Sequence, residues 1–366
     1  MLGINWFRVP WKITNLPNPV VFQMCGGALF VAGCNVQTKY LLLLALIRKT
    51  LTHRMYRMKS LLASALVLIS SALWAQQDVQ FTQYFNNRLG FNPGVAGTGD
   101  GICINLGQRL QWVGFDGAPT TQNLNASIPV DLLHGGLMVN VVNDRIGFFE
   151  DISAAVGYAY QLELGSGTLG LGLAVDFKNK NVRQATWIFP DNPSDPAVMN
   201  SGATSFTPEL NFGAYYTNDL WFAGLSSSRL LQSSASFGTA ARFQSKMHYF
   251  LTGGATFDLP TATPIQITPS ILLKSDLNSN ITMDLNANAL IMEKLYAGLG
   301  WRNQDAISLM LGYQIMPSLR ASYSYDLTTS SLSAYSSGSH ELFLTYCFTI
   351  EIPPRVNGSY RNPRFL

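Results

Sequence analysis

The sequence is short of charge, and beyond Ala75 it lacks any long apolar run. Charged residues make up 12% of the chain, while hydrophobic residues make up 47% and the mean hydropathy is +0.13. The charged share is about half that of ordinary soluble domains. A membrane-spanning helix needs about 20 consecutive apolar residues, and no stretch after Ala75 supplies them. Low charge without helical spans leaves the closed β-barrel as the membrane-spanning fold that fits.

Motifs for catalysis, metals and cofactors are also scarce. The four cysteines form no C-x-x-C pair, G-x-S-x-G does not occur, and the G-x-G-x-x-G match at 165–170 falls in a turn that enters a predicted strand. The histidines are scattered without metal-ligand spacing: His53, His134, His248 and His340. We therefore expect no cofactor and no enzymatic activity. A barrel lipase that uses Asp131 and His134 near one rim is the remaining catalytic alternative.

Nucleic acid is not an expected partner, because the net charge of +3 is small and evenly spread.

A secretory signal peptide is predicted at residues 58–75. Basic residues at 54, 57 and 59 precede an apolar run at 61–73, and cleavage would follow Ala75. Because such a signal stands at the start of a chain, residues 1–57 are interpreted as an upstream extension from a misassigned start codon. An unusually long leader is the alternative. The signal predicts export, and together with a barrel it predicts the outer membrane as the location.

Period-two alternation runs through the chain from Gly101 onward and is broken by turn residues roughly every ten positions. At 281–289 apolar residues alternate with Thr, Asp and Asn, and 167–178 and 319–326 show the same division. The pattern predicts an all-β fold: a transmembrane antiparallel β-barrel of the bacterial outer-membrane type, with about 14 strands within 101–350. The expected strands are 101–115, 121–130, 135–143, 152–163, 167–180, 205–217, 220–226, 246–258, 264–274, 279–290, 294–302, 306–316, 318–327 and 340–350.

Loop lengths provide an independent check on this strand count. Both ends of a bacterial barrel normally face the periplasm, where the turns are short, and long connections face the cell exterior. Short and long connections fall on opposite sides as required: 165–166, 218–219 and 316–317 against 181–204, 227–245 and 328–339. Residues 76–100 are then a periplasmic lead-in segment, either extended or entering the lumen, and residues 351–366 are a periplasmic tail.

The polar faces of the strands carry charged residues that we expect in the lumen: Arg109, Glu209, Asp284, Arg302, Arg320, Asp326 and Glu341. A barrel of this width holds either paired charges or a narrow water path, and we expect Glu341 to pair with Arg302 or Arg320. The apolar faces carry aromatic residues typical of an interfacial girdle. Core aromatics of a large soluble β-protein are the alternative interpretation.

Two cysteines form a candidate disulfide. Cys103 and Cys347 fall on the inward faces of the first and last predicted strands, near their periplasmic ends. Those strands are neighbours in a closed barrel, although a disulfide also requires the right register.

Short motifs follow one another through the rest of the chain. They are Q-Y-x-x-N from Gln83, N-P-x-x-A-G from Asn92, QWVGFDGAP at 111–119, G-S-H-E from Gly338 and N-P-R-F from Asn362. In this order they resemble the PorP/SprF family of the type IX secretion system. On this resemblance the following residues are candidates for partner contact: Gln83, Tyr84, Asn92, Pro93, Gly97, Trp112, Gly114, Pro119, Gly338, Ser339, His340, Glu341, Asn362, Pro363, Arg364 and Phe365.

The resemblance implies a non-catalytic outer-membrane component of the type IX machinery of Bacteroidetes, which exports proteins to the cell surface and in some members supports gliding motility. The implied partners are other type IX components, including a periplasmic peptidoglycan-associated protein, and possible adhesin cargo, besides outer-membrane lipid. Gly114 and Pro119 also suit a hairpin turn for reasons of backbone geometry alone. A porin or small-solute transporter is the second functional hypothesis.

Overall fold

The computed structural model describes residues 79–99, 101–183, 202–237, 241–277 and 281–349, together with a short upstream hairpin of Gln23–Cys25 and Ala28–Phe30. The hairpin lies in the unit Met1–Ser71, and the other described residues lie in a second unit, Ala72–Leu366. The predicted signal peptide and the 351–366 tail fall outside the described residues and stay predictions. Among the described residues, no helix has the length and apolarity needed to cross a membrane.

The described residues of the second unit form fourteen long antiparallel strands that match the fourteen expected segments one for one. They are β1 (Ile102–Leu110), β2 (Thr120–Val130), β3 (Gly135–Ile146), β4 (Phe149–Leu164), β5 (Gly167–Val182), β6 (Thr204–Thr217), β7 (Trp221–Ser228), β8 (His248–Ala255), β9 (Ile265–Ser275), β10 (Thr282–Ile291), β11 (Leu295–Arg302), β12 (Ala306–Met316), β13 (Leu319–Thr328) and β14 (Ser339–Phe348). A short segment, Phe257–Leu259, continues β8 beyond Thr256 and pairs with β9.

The sheet closes on itself. Neighbouring strands pair in chain order, β8 pairs with both β7 and β9, and β14 pairs with β1 from Phe348 opposite Ile102 to His340 opposite Leu110. We call this last pairing the seam. A closed ring leaves no strand edge unpaired, which is the condition for β-structure in a bilayer. The prediction of an antiparallel barrel is therefore confirmed.

The first strand is shorter than expected. The pattern predicted 101–115, but β1 ends at Leu110, because the backbone turns at Trp112, Gly114 and Gly117, which all have positive φ. Strands β3 and β4 are longer than expected, since the charged residues at their ends, Asp144 and Arg145 on β3 and Glu150 and Asp151 on β4, still pair across the strands.

The barrel is polar inside and apolar outside. Along β1 the outward Leu106 is 51% exposed, whereas the inward Asn105 and Arg109 are buried, and the same division holds for Leu124 and Asn125 on β2. A soluble β-protein would bury the leucines instead. The apolar faces therefore form the outer surface expected of a barrel in lipid, and the aromatic residues Trp221, Trp301 and Tyr346 are part of it.

The two rims differ in their connections. We call the rim where β1 begins and β14 ends the terminal rim, and the other the loop rim. Connections at the terminal rim are short, the longest being 260–264, whereas the strands joined by the connections 183–203, 229–247 and 329–338 have their linked ends at the loop rim. The connection 229–247 contains a hairpin, Ser234–Phe237 paired with Ala241–Gln244, whose Phe237 packs with Val182 and Ala235.

The segment that precedes β1 lies inside the barrel. We call residues 79–99 the lumenal segment. Its residues Gln83 and Asn92 are 0% exposed and its hydrogen bonds run to the barrel wall. Of the two interpretations of the lead-in segment, an extended stretch and a segment that enters the lumen, these residues follow the second. A polar segment of this kind finds donors and acceptors on the lumenal face that the strands leave unpaired.

A disulfide lies at the terminal end of the seam. Cys103 and Cys347 are directly opposite each other in the β1–β14 register, and their sulfur atoms are bonded. The bond joins residues that are 244 positions apart, so it links the first strand to the last.

We predict that Cys103→Ser/Cys347→Ser lowers the unfolding temperature of the barrel, because it releases a long loop in the unfolded chain. Loop-closure entropy places the upper bound at about 5 kcal/mol. The measurement is the temperature at which the fast-migrating folded band is lost in non-reducing electrophoresis. Reduced wild-type protein should match the variant. Equal midpoints for oxidised wild type and variant would show that the disulfide does not stabilise the fold.

Candidate functional site

The lumenal segment is a chain of short turns. Three 3-10 turns span Tyr84–Asn86, Arg88–Gly90 and Pro93–Val95. The Asn92 side chain caps the third turn by accepting a hydrogen bond from the Gly94 amide at 2.9 Å. Asn favours such caps, and Pro suits the first position after one. The motif N-P-x-x-A-G therefore builds a local turn, which then packs against the wall.

The segment descends through the lumen from the loop-rim half to the terminal rim. Thr82 lies beside Asp326 near the end of β13, whereas the Gly97 amide donates to Ser127 Oγ on β2 at 2.9 Å. Between them, Gln161 of β4 donates to the Ala96 carbonyl and Ser226 of β7 to the Phe91 carbonyl. Contacts of the segment thus run around the wall, from β1 to β14.

The strongest set of contacts converges on Glu341. The backbone N–H groups of Thr82 and Gln83 donate to its two carboxylate oxygens at 2.9 and 2.8 Å. Arg109, which faces Glu341 across the seam, donates to the same carboxylate at 2.9 Å. Glu341 and Arg109 are each 1% exposed. A buried ion pair is tolerated when further hydrogen bonds satisfy its remaining valences, and the lumenal segment supplies these bonds.

A second group of charges adjoins the first. Asp326 accepts from Arg109 at 2.8 Å and from the Thr82 hydroxyl at 2.7 Å. Arg302 donates to Asp284 at 2.5 Å and reaches the Phe81 carbonyl at 3.3 Å. The remaining members of this network are Lys274, 2.9 Å from Asp284, and Asp305, 3.2 Å from Arg302. Opposite charges alternate around the start of the lumenal segment, so its backbone is fixed at this level of the barrel.

Asparagines extend the polar network along the wall. Asn105 donates to Asn125, which donates to Asn123 and to Asn87 of the lumenal segment, and Asn123 donates to Asn140. The distances are between 2.7 and 3.0 Å. An amide can donate and accept at once, so one residue type links β1, β2 and β3 to the segment.

Near the terminal rim, the segment approaches the wall backbone so closely that glycine is required. A Cβ on Gly94 would lie 2.8 Å from the Gly170 carbonyl oxygen, and one on Gly97 would lie 2.6 Å from the Gly136 Cα. Gly97 also has φ +77°, which favours glycine. The glycines of the motif and of the facing strands therefore permit backbone-to-backbone packing.

Aromatic contacts hold the middle of the segment. The Tyr84 hydroxyl hydrogen-bonds Ser270 at 2.7 Å, and Phe91 packs on Phe250 with ring centroids 5.7 Å apart. The Arg88 guanidinium lies 4.2 Å from the Phe222 ring centroid and donates to the Tyr215 hydroxyl. These contacts involve β6 to β9, on the side of the barrel away from the seam.

The loop motifs meet above the seam at the loop rim. The Val113 amide donates to the Gly338 carbonyl at 2.8 Å, and the Trp112 amide donates to Ser339 Oγ at 3.1 Å. Gly114 and Gly338 have positive φ, and the Pro119 carbonyl accepts from the Gln111 amide. Motifs far apart in sequence are thus neighbours in space.

His340 points outward, and its ring nitrogen Nδ1 forms a hydrogen bond with the Tyr323 hydroxyl.

The expected lumenal charges all sit on inward faces, but the partners differ from expectation. Glu341 pairs with Arg109, and not with Arg302 or Arg320, because the seam register places Arg109 directly opposite. Arg320 instead bonds Asn86 at 2.7 Å and stacks on Tyr296. Glu209 accepts a hydrogen bond from the Ser233 amide on the opposite side of the barrel.

The sequence interpretation missed Lys274 and Thr82, since neither stands out from its neighbours in the pattern.

The candidates for partner contact divide into four groups. Gln83, Tyr84, Asn92 and Pro93 are buried within the barrel, so their contacts are internal. Gly97 belongs with this group and packs on Gly136 of β3. The residues of 111–119, 338 and 339 form the cluster above the seam, whereas His340 and Glu341 are paired within the seam. The C-terminal motif, Asn362 to Phe365, lies outside the described residues. Within the described part of the chain, no group of metal-ligating side chains comes together.

We predict that Arg109→Met destabilises the barrel by about 3–5 kcal/mol, because the buried Glu341 loses its cation and the buried Asp326 keeps only Arg302, which is 3.8 Å away. Arg145→Met is the matched control. Arg145 pairs with Glu150 at 2.6 Å, but its side chain is 48% exposed, so the loss should be under about 1 kcal/mol. Urea unfolding of both variants in detergent measures the difference. Similar small losses in the two variants would contradict the importance assigned to the buried network.

The sequence has a counterpart among known protein families. Residues 73–346 match the family described as type IX secretion system membrane protein PorP/SprF. The matched range covers the lumenal segment and nearly the whole barrel. No curated protein sequence matches the chain.

Solved barrels show a distant similarity. The CymD monoaromatic hydrocarbon channel aligns over 72% of this chain and 99% of its own, with 12% identity and a TM-score of 0.41. A FadL homologue of Pseudomonas aeruginosa aligns over 70% and 92%, with 12% identity and a TM-score of 0.40. Similarity at this level says nothing about a transported substrate. The family match covers most of the chain, and on that basis the protein belongs to the PorP/SprF family of type IX secretion system membrane proteins.

Proposed function

We propose that this protein is a non-catalytic, occluded outer-membrane component of the type IX machinery, which supports export or surface display of cargo proteins. The proposal includes a role in gliding motility where the organism glides. The observation that carries it is the lumenal segment. Family membership supports the association with type IX components, and the filled lumen favours an anchoring role over a conducting one.

The case for occlusion rests on where the segment's contacts fall. At the loop-rim half, Thr82 is hydrogen-bonded to Asp326 and Glu341, both 1% exposed. At the terminal-rim half, Gly94 and Gly97 pack backbone to backbone against β5 and β3. A water path for solutes would have to pass both levels. Porins instead keep a water-filled lumen.

We place the terminal rim in the periplasm, because short turns face the periplasm in bacterial outer-membrane barrels. At or beside these turns lie exposed carboxylates: Asp131, Glu163, Asp219, Asp258 and Glu293. We assign the contact with a periplasmic peptidoglycan-associated partner to this rim and to the 351–366 tail. Secreted adhesin cargo would be met at the loop rim. A signal peptide cleaved near Ala75 would deliver the chain to this membrane.

The alternative is a porin or small-solute transporter, and conductance separates the two. We expect wild-type protein in a planar lipid bilayer to show no steady open-channel current. Arg88→Ala/Asn92→Ala, which removes contacts on the β6–β7 side, should raise the frequency of opening because the segment is held less firmly. Steady wild-type conductance, unchanged in the variant, would overturn occlusion and favour the porin.

Gene deletion tests the proposed role in cells. We expect loss of specific proteins from the cell surface and medium, restored by wild-type protein. Uptake of small solutes should stay unchanged, since the lumen is filled. A barrel with the tail 351–366 removed is the informative second strain: it should fold and insert but fail to co-purify with type IX components. Normal secretion in the deletion strain would contradict the proposal.

A further inference from the structure

Closing the ring is the most demanding step in forming this barrel. The seam joins the first and last strands, and Cys103 and Cys347, which face each other in it, are 244 positions apart. The other strand pairs along the ring are sequence neighbours, β8 and β9 included. Pairing over a long separation carries the largest loop-closure entropy. Register is therefore least constrained by local structure at the seam, since no short turn sets the alignment there.

The seam has one specific contact at each end. The disulfide lies at the terminal end. The Arg109–Glu341 ion pair lies nearer the loop rim, because Glu341 precedes Cys347 by six positions in β14. Between them, Thr345 donates to Asn105 across the seam at 2.7 Å. The ion pair involves the lumenal segment through the amides of Thr82 and Gln83. Phe343, which lies over Gly107 of β1, also contacts the segment by packing on Phe81 with ring centroids 5.7 Å apart.

These donors all belong to the N-terminal part of the barrel unit. Arg109 is on β1, and Thr82 and Gln83 precede β1 in the same stretch of chain. Two consecutive backbone amides and a guanidinium that point at one position form a site suited to a carboxylate. Glu341, which fills the site, is on β14, the last strand made. Slipping β14 by two residues keeps its side chains on the same faces but moves Glu341 away from all three donors.

We propose that Thr82, Gln83 and Arg109 form a carboxylate-binding site that receives Glu341 when the last strand reaches the first, and that this site sets the register in which the barrel closes. The lumenal segment is then an assembly element as well as a filling of the lumen. The inference concerns folding, so it stands or falls independently of the proposed role in secretion.

The disulfide reports closure in the native register. Urea-denatured, reduced protein is refolded into lipid vesicles under a glutathione redox buffer, and Cys103–Cys347 bond formation is followed by maleimide-polyethylene glycol mass shift. In Gln83→Pro, which removes one amide donor, and in Glu341→Gln, which removes the charge, we expect the bond to form roughly tenfold more slowly. Arg88→Ala is the matched control, because its contacts are with Tyr215 and Phe222, away from the seam. It should close at the wild-type rate.

A slipped register can be trapped directly, even in a variant that does not reach the native state. In Cys347→Ser/Thr349→Cys, residue 349 faces Cys103 only if β14 slips by two positions. In the native register the two are diagonal neighbours, beyond the reach of a disulfide. We expect no bond in this background, and a bond when Gln83→Pro is added.

Three results would overturn the proposal. The first is native disulfide formation at the wild-type rate in both Gln83→Pro and Glu341→Gln. The second is an equal delay in Arg88→Ala, which would mean that the segment acts by filling the lumen in general. The third is absence of the slipped bond in the Gln83→Pro background, which would show that register is set elsewhere.

Discussion

The carboxylate of Glu341 ties together the parts of this barrel that are furthest apart in sequence. It is on the last strand, it pairs with Arg109 on the first, and it accepts the amides of Thr82 and Gln83 from the segment inside the lumen. A single buried carboxylate thus holds the seam and the lumenal segment at once. Because burying that charge is costly without all of its donors, the lumenal segment and the closed ring stabilise each other.

The other features of the protein follow from this arrangement. In a porin the polar lumen is filled with water. Here the polar side chains of the lumen form hydrogen bonds to the lumenal segment. Glycines at Gly94 and Gly97 let that peptide lie against the strands. The loop motifs at 111–119 and 338–339 gather above the seam, and the motifs that begin at Gln83 and Asn92 lie inside the barrel. The proposed contacts with other type IX components fall on the two rims.

The strand pattern predicted the barrel well, because alternation and turn residues are local properties of the sequence. All fourteen strands appeared, and strand order and alternation placed Cys103 and Cys347 on the same face of neighbouring strands, while their direct opposition depends on the seam register. The partners of Glu341 were not predictable, since they depend on the seam register, which no turn encodes. The position of Gln83 and Asn92 was left open between an extended lead-in and a segment that enters the lumen, because a short segment without periodicity carries no sign of whether it lies inside a lumen. Thr82 looks unremarkable in sequence, and its hydroxyl and amide matter only once two distant carboxylates surround it.

The central claim is that the lumenal segment fills the barrel. Amide hydrogen exchange on the protein in native outer membranes tests this claim most directly. The account predicts that the amides of Thr82, Gln83 and Gly97 exchange as slowly as those of β1 and β14, because each donates to a buried or partly buried acceptor. Exchange of these amides at the rate of an unstructured peptide, with the strands still protected, would contradict it.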